Sequence, residues 1–172
     1  MTIEHMTVGV VVQRRPLDNP WADHAWSPYA VLPDAPDLPE WTLLHKEGGI
    51  ERFYAGPASL SFYPSDTGNL IENFVPGARR IWVSIRPTGI EPPLEIVGVT
   101  AEPGEGEILA EGIGDIVDTV AMPDLVAERI IAFYRRHHVE RPFVKRQRDR
   151  ANKDAFAARQ GGRAPGPRGD GT

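Results

Sequence analysis

Cysteine is absent from this chain of 172 residues. That absence excludes disulfide staples, thiolate metal sites, iron–sulfur ligation and a cysteine nucleophile. No apolar run reaches the roughly 18 residues that a membrane-spanning helix needs. Residues Met1 to Met6 are polar and lack the apolar stretch of a secretory signal, so a cytoplasmic location is expected. Phosphate-binding signatures are missing too. There is no G-x-x-x-x-G-K-[ST] loop, no G-x-G-x-x-G after a strand, and no G-x-S-x-G nucleophile elbow.

What is present is a globular composition, 41% hydrophobic and 25% charged, with room for a real core. The net charge of −5 hides an uneven split. Residues 1–140 hold 10 Lys+Arg against 21 Asp+Glu, whereas residues 141–172 hold 9 against 3. An acidic body therefore carries a basic tail, a pattern of interaction segments. The apolar pattern fades beyond Val144. We expect a single α+β domain over residues 1–144 and a basic, Gly/Pro/Arg-rich, disordered tail over 145–172.

The periodicities predict short strands. Val8, Val10 and Val12 alternate over Thr7 to Arg14, and β-branched residues suit a pleated surface. Ala25 to Leu32 is a second strand, but Pro28 demands an edge position or a bulge. Trp41 to Leu44 is a third, before the Gly48-Gly49 turn. Glu51 to Ala55 and Ala58 to Tyr63 flank Gly56-Pro57 and suggest a hairpin. Arg79 to Arg86, Leu94 to Ala101 and Ile113 to Val120 complete the strands. Glu102 to Glu111 suggests a short acidic helix, and Ser65 to Gly77 allows a helical turn or two. The strongest helix runs from Pro123 to His138, with Val126, Ile130 and Phe133 as its apolar stripe and Arg135, Arg136, His137 and His138 in its last turn. The expected fold is a bent antiparallel β-sheet or partial barrel of about seven short strands, packed by the C-terminal α-helix.

Candidate chemistry is sparse. Asp23-His24 pairs a carboxylate with an imidazole, but strand neighbours point to opposite faces and no nucleophile accompanies them. His137-His138 diverge around a helix and suit capping better than chelation. Glu102, Glu105, Glu107 and Glu111 match no calcium loop. Arg14-Arg15 and Arg79-Arg80 could receive anions but usually face water in such positions. No catalytic or metal-binding residue is assigned, and the cofactor is left open. The basic tail carries only Phe143 and Phe156 as aromatics, a poor match to base stacking on nucleic acid. The richest stretch is Leu17 to Trp26. It packs Asp18, Asn19, Pro20, Trp21, Asp23, His24 and Trp26 into one connection. Tryptophan is favoured at interfaces and in cores alike.

Several segments together resemble a bacterial family, the domain of unknown function 3305 family. They are Val8 to Val12, Leu17 to Trp26, Ala30 to Pro33, Phe53 to Gly56, Val99 to Ala101, Met122-Pro123 and His137 to Arg146, the last including Phe143, Lys145 and Arg146. The resemblance covers residues 7 to 148. It implies an accessory role around molybdenum-dependent formate dehydrogenase, because members tend to be encoded near its genes. Some members carry the label molybdopterin-guanine dinucleotide biosynthesis protein A. This chain lacks the glycine-rich loop of such a transferase, since Gln13-Arg14-Arg15-Pro16 follows the first strand. The transferase activity is therefore rejected.

Three function classes follow. The first is a non-enzymatic accessory protein that docks on formate dehydrogenase or its maturation factors through the aromatic loop and basic tail. The second is a domain binding a small anionic ligand such as a pterin cofactor. The third is a metal-dependent enzyme around His24. We also expect His137, His138 and Phe143 to pack near Trp21, His24 and Trp26.

Overall fold

A computed structural model describes residues 2–139. Two antiparallel sheets and three α-helices build the α+β body. Strand β1 spans Glu4–Pro16, β2 His24–Leu32, β3 Thr42–Glu47 and β4 Ile50–Phe62, in the order β2-β1-β4-β3. The second sheet holds β5 (Arg80–Pro87), β6 (Leu94–Thr100) and β7 (Ile116–Ala121), in the order β6-β5-β7. Strand β2 runs beside β7 and β4 beside β6, without a ladder joining the sheets. The result is an open, barrel-like pair of sheets with a shared core.

The valine alternation fixes β1. Val8, Val10 and Val12 are fully buried against Leu60, Phe62, Ile81, Val83 and Ile85. Burying each such side chain contributes about 1.5–3 kcal/mol. Pro28 sits where its missing N–H can be tolerated. Its strand β2 is an edge of its sheet, and the register slips there, with Val11 opposite Ala30 and Val12 opposite Pro28.

The hairpin expected at Gly56-Pro57 is replaced by one continuous strand. Strand β4 passes through Gly56 at φ 137° and keeps pairing with β1. Partner β3 begins at Thr42, opposite Tyr54, so beyond Tyr54 one side of β4 has no ladder partner. Proline is compatible with that side. The true hairpin turn is Gly48-Gly49, both at positive φ. Strands β1 and β4, at thirteen residues each, are also longer than the short strands expected.

Helix α1 is Thr67–Glu72, preceded by a 3₁₀ turn at Pro64–Asp66. Helix α2 is Pro103–Ala110, and α3 is Asp124–His137. Val126, Ala127, Ile130 and Phe133 of α3 are buried, with Phe133 5.7 Å from Phe62 between ring centroids. Helix α3 thus closes the core at the Glu4 end of β1. Arg136 and Arg129 reach Glu4 there at 2.5 and 3.5 Å. No helix of the described residues is long and apolar enough to cross a membrane. The expected boundary at residue 144 and the tail lie outside the described residues.

Two internal fits are tight. The buried Asn73 amide donates to the carbonyls of Arg80 and Ala101 at 2.7 and 2.8 Å and accepts from the Arg80 N–H at 3.0 Å. Gly106 of α2 lies on the Trp82 ring, and a Cβ there would stand 2.4 Å from it. Gly106→Ala is expected to destabilise the fold by about 1–3 kcal/mol through overpacking. Asn73→Ala should cost about 2–3 kcal/mol by stranding buried backbone groups. Urea denaturation of each variant checks both values.

Candidate functional site at the loop end of the sheets

Strand β1 separates two ends of the body. At about 3.3 Å per residue its thirteen residues span roughly 40 Å. The connection of residues 17–23 leaves β1 at Pro16 and re-enters at His24, which pairs with Pro16. The connection of residues 88–93 joins β5 to β6, where Pro87 pairs with Leu94. Residues 111–115 lead from α2 into β7, whose Ile116 pairs with Ile85. All three lie at the end opposite α3.

The first connection is held at its neck. The Leu17 N–H donates to the Asp23 carbonyl at 2.9 Å, and the Trp21 N–H donates to Asn19 Oδ1 at 2.6 Å. The latter is an Asx-type turn, which fixes the backbone with a local side chain. Asp18, Asn19, Pro20, Asp23 and His24 are exposed, and Trp21 is 89% exposed. A pinned backbone therefore presents a bare indole.

Trp26 behaves differently. It packs edge-to-face on Trp41 at 5.8 Å and against Phe53 at 5.8 Å. The Arg14 guanidinium lies 5.4 Å from the Trp26 and Phe53 rings, close enough for cation–π attraction. Arg14 also forms an ion pair with Glu51, which Lys46 joins at 3.3 Å. The hydrogen bond from Arg14 holds the Glu51 carboxyl below its ordinary value, against the opposing effect of burial. Trp41 adopts φ 68°, a left-handed backbone that a bulky residue rarely takes. Its N–H donates to the Tyr54 carbonyl, and Thr42 closes a turn onto the Pro39 carbonyl through Oγ1 at 2.6 Å. That geometry brings the Trp41 indole to Trp26.

Beside Trp26 is an open hollow of about 450 Å³, lined also by Pro87, Gly89, Ile90, Glu91 and Pro93. Thr88 shapes its rim. The Thr88 hydroxyl lies 2.8 and 2.6 Å from the Ile90 and Pro92 carbonyls. Ile90 is 73% exposed and Ile113 fully so. At the same end, Arg86 binds Asp115 through two nitrogens at 2.7 and 3.1 Å. Those hydrogen bonds hold the Asp115 carboxyl below its ordinary value.

Among the described residues, His137 and His138 do not meet the aromatic loop. His137 lies 3.7 Å from Glu4 and 4.5 Å from the Phe133 ring, and His138 contacts Thr67 Oγ1 at 3.1 Å. Both fasten the end of α3 at the Glu4 end of β1, whereas Trp21, His24 and Trp26 stand at its Pro16 end. The expected packing between them fails because β1 runs the length of the body. Phe143, Lys145 and Arg146 lie outside the described residues. Among the described residues, no three His, Asp or Glu side chains converge as a metal site would require. Ile113, expected to open the last strand, instead lies in the connection, because Gly114 at φ 82° turns the chain before β7 begins at Ile116. Ile90 has only a faint signal in the sequence, a single isoleucine between glycine and Glu-Pro-Pro.

Trp26→Ala is expected to cost about 3 kcal/mol, and Trp21→Ala no more than about 0.5 kcal/mol. Denaturation midpoints separate the two. A carboxylate held below its unfolded value stabilises the fold above the unfolded pKa, and that stability is lost as pH falls through the folded pKa. Glu51→Gln and Asp115→Asn should therefore each flatten the acid limb of stability against pH, below the ordinary carboxylate range. Urea denaturation across that range reads the slope.

No curated protein and no solved structure matches this chain. Residues 7–147 match the family described as protein of unknown function DUF3305. That match spans most of the 172 residues and includes both the aromatic loop and the α3 end. The chain belongs to the DUF3305 family.

Proposed function

We propose that this chain is a non-catalytic accessory protein that docks on a molybdenum-dependent formate dehydrogenase or one of its maturation factors. The observation that carries the docking reading is Trp21, 89% exposed on a backbone pinned by Asn19 and Asp23. An indole held in water without packing partners is costly unless a partner covers it, and tryptophan dominates interface hot spots. The choice of partner rests on the resemblance of the Leu17 to Trp26 and His137 to Arg146 blocks to a family encoded near that enzyme. In this reading the basic segment of residues 145–172 is a second docking element, suited by charge to an acidic surface.

The anionic-ligand reading has weaker support. The hollow beside Trp26 has Glu91 on its wall and no arginine among its lining residues. Carboxylate and pterin-type anions are disfavoured by that charge.

Affinity capture with the full chain tests the proposal. Trp21→Ala is expected to lower recovery of formate dehydrogenase or its maturation factors about ten-fold, the loss of one hot-spot anchor. Ile108→Ala, on exposed α2, is expected to leave recovery unchanged. Equal recovery by the Trp21 variant and the wild type overturns the docking reading.

A further inference from the structure

The connections at the loop end combine exposed apolar side chains with charge of one sign. Trp21, Ile90 and Ile113 come from three different connections and stand 89%, 73% and 101% exposed. Those connections, residues 17–23, 88–93 and 111–115, contain Asp18, Asp23, Glu91, Glu111 and Asp115 and no lysine or arginine. Three cations on the adjoining strands are already engaged by carboxylates. Arg14 and Lys46 hold Glu51, and Arg86 holds Asp115 and Glu95. Exposed Arg15, and Arg52 stacked on Tyr29 and bonded to Gln13, add two positive charges at this end, against Asp18, Asp23, Glu91 and Glu111, which leaves the acids in excess.

We infer that this end receives a lysine- and arginine-rich segment of a partner protein, one that carries a large apolar side chain into the hollow between Trp26 and Ile90. The inference rests on the docking reading above and adds the chemistry of the partner segment. The hollow of about 450 Å³ offers an apolar wall of Trp26, Pro87, Ile90 and Pro93, room for such an anchor. Trp21 and Ile113, exposed on the connections at the same end, are further apolar side chains open to a partner. The surrounding carboxylates supply complementarity, which sets encounter rate and partner choice more than raw affinity. Other occupants fit less well. Nucleic acid and anionic lipid headgroups are repelled by the same carboxylates, and no three carboxylates converge to bridge them through a cation among the described residues.

The test titrates the full-length protein with three short synthetic peptides and follows the Trp21 indole and the Ile90 and Ile113 methyl resonances. One peptide alternates arginine with leucine, one glutamate with leucine, and one arginine with glycine. The arginine–leucine peptide is expected to shift those three residues. Its affinity should fall about ten-fold in the Asp18→Asn, Asp23→Asn, Glu91→Gln triple variant and fall further with added salt. The arginine–glycine peptide should bind about ten-fold more weakly, and the glutamate–leucine peptide should not bind. Folding of the triple variant is checked by its denaturation midpoint.

Several results overturn the inference. One is equal binding of the glutamate–leucine peptide. Another is shifts confined to other surfaces, such as α2 around the exposed Ile108. A third is tighter binding at this end by a peptide of the chain's own residues 141–160, which would make the tail the occupant. Its failure is distinguishable from failure of the docking reading. A triple variant that captures formate dehydrogenase as the wild type does, while Trp21→Ala does not, leaves docking intact and removes the charge argument.

Discussion

The pairing of β1 with β4 is the constraint on which the rest of the molecule depends. These two strands of thirteen residues run antiparallel from Glu4 opposite Phe62 to Arg14 opposite Glu51. Their inward side chains are Val8, Val10 and Val12 of β1 with Leu60 and Phe62 of β4. A one-residue slip would turn all of these to the other face of the sheet and out of the shared core, so the register is strongly specified. The same ladder sets the length of the body. It places the α3 clamp at one end and the aromatic cluster at the other.

Each end is finished by a different kind of interaction. At the Glu4 end, Arg129, Arg136 and His137 surround one carboxylate, and Phe133 fills the space beneath. The helix cannot lift without exposing Phe133, Ile130 and Val126 together. At the Pro16 end, the β1–β4 pair continues past the main core. Arg14, Glu51, Phe53, Trp26 and Trp41 close it as a stack of rings around a paired guanidinium. A guanidinium is weakly hydrated and stacks well on aromatic faces, which is why arginine suits this half-buried position better than lysine.

Much of this was legible in the sequence where a single periodicity governed a segment. The stripe Val126, Ile130, Phe133 announced α3, and Ile81, Val83, Ile85 announced β5, because one face of each is buried throughout. Pro28 pointed to an edge or a bulge, and the structure has both. Gly56-Pro57 misled because a strand can carry both residues where its neighbour has ended, and the end of β3 is a tertiary fact. The Leu17 to Trp26 stretch was recognisable as unusual, but the division of labour between its tryptophans was not. Trp26 is held by Trp41 and Phe53, which lie far along the chain and come near only through the β1–β4–β3 register. The expected meeting of the two histidines with the tryptophans failed for the same reason. Linear sequence does not reveal which end of a long strand a distant helix will reach.

The separation of the two ends also bears on how a docking surface can coexist with a stable fold. Side chains that hold the body are drawn into ladders, ion pairs or ring stacks, and their removal costs the core. Trp21, Ile90 and Ile113 belong to connections whose backbone is fixed by local bonds, as with Asn19 Oδ1 to the Trp21 N–H and the Thr88 hydroxyl under Ile90. Their side chains contribute little to the fold, so they are free to be set by a partner. Rigid backbone beneath exposed side chains also lowers the entropy lost on association. The left-handed Trp41 fits the same logic. Its backbone cost is offset by ring packing on Trp26, and that packing supports the wall of the hollow into which a partner side chain would fit.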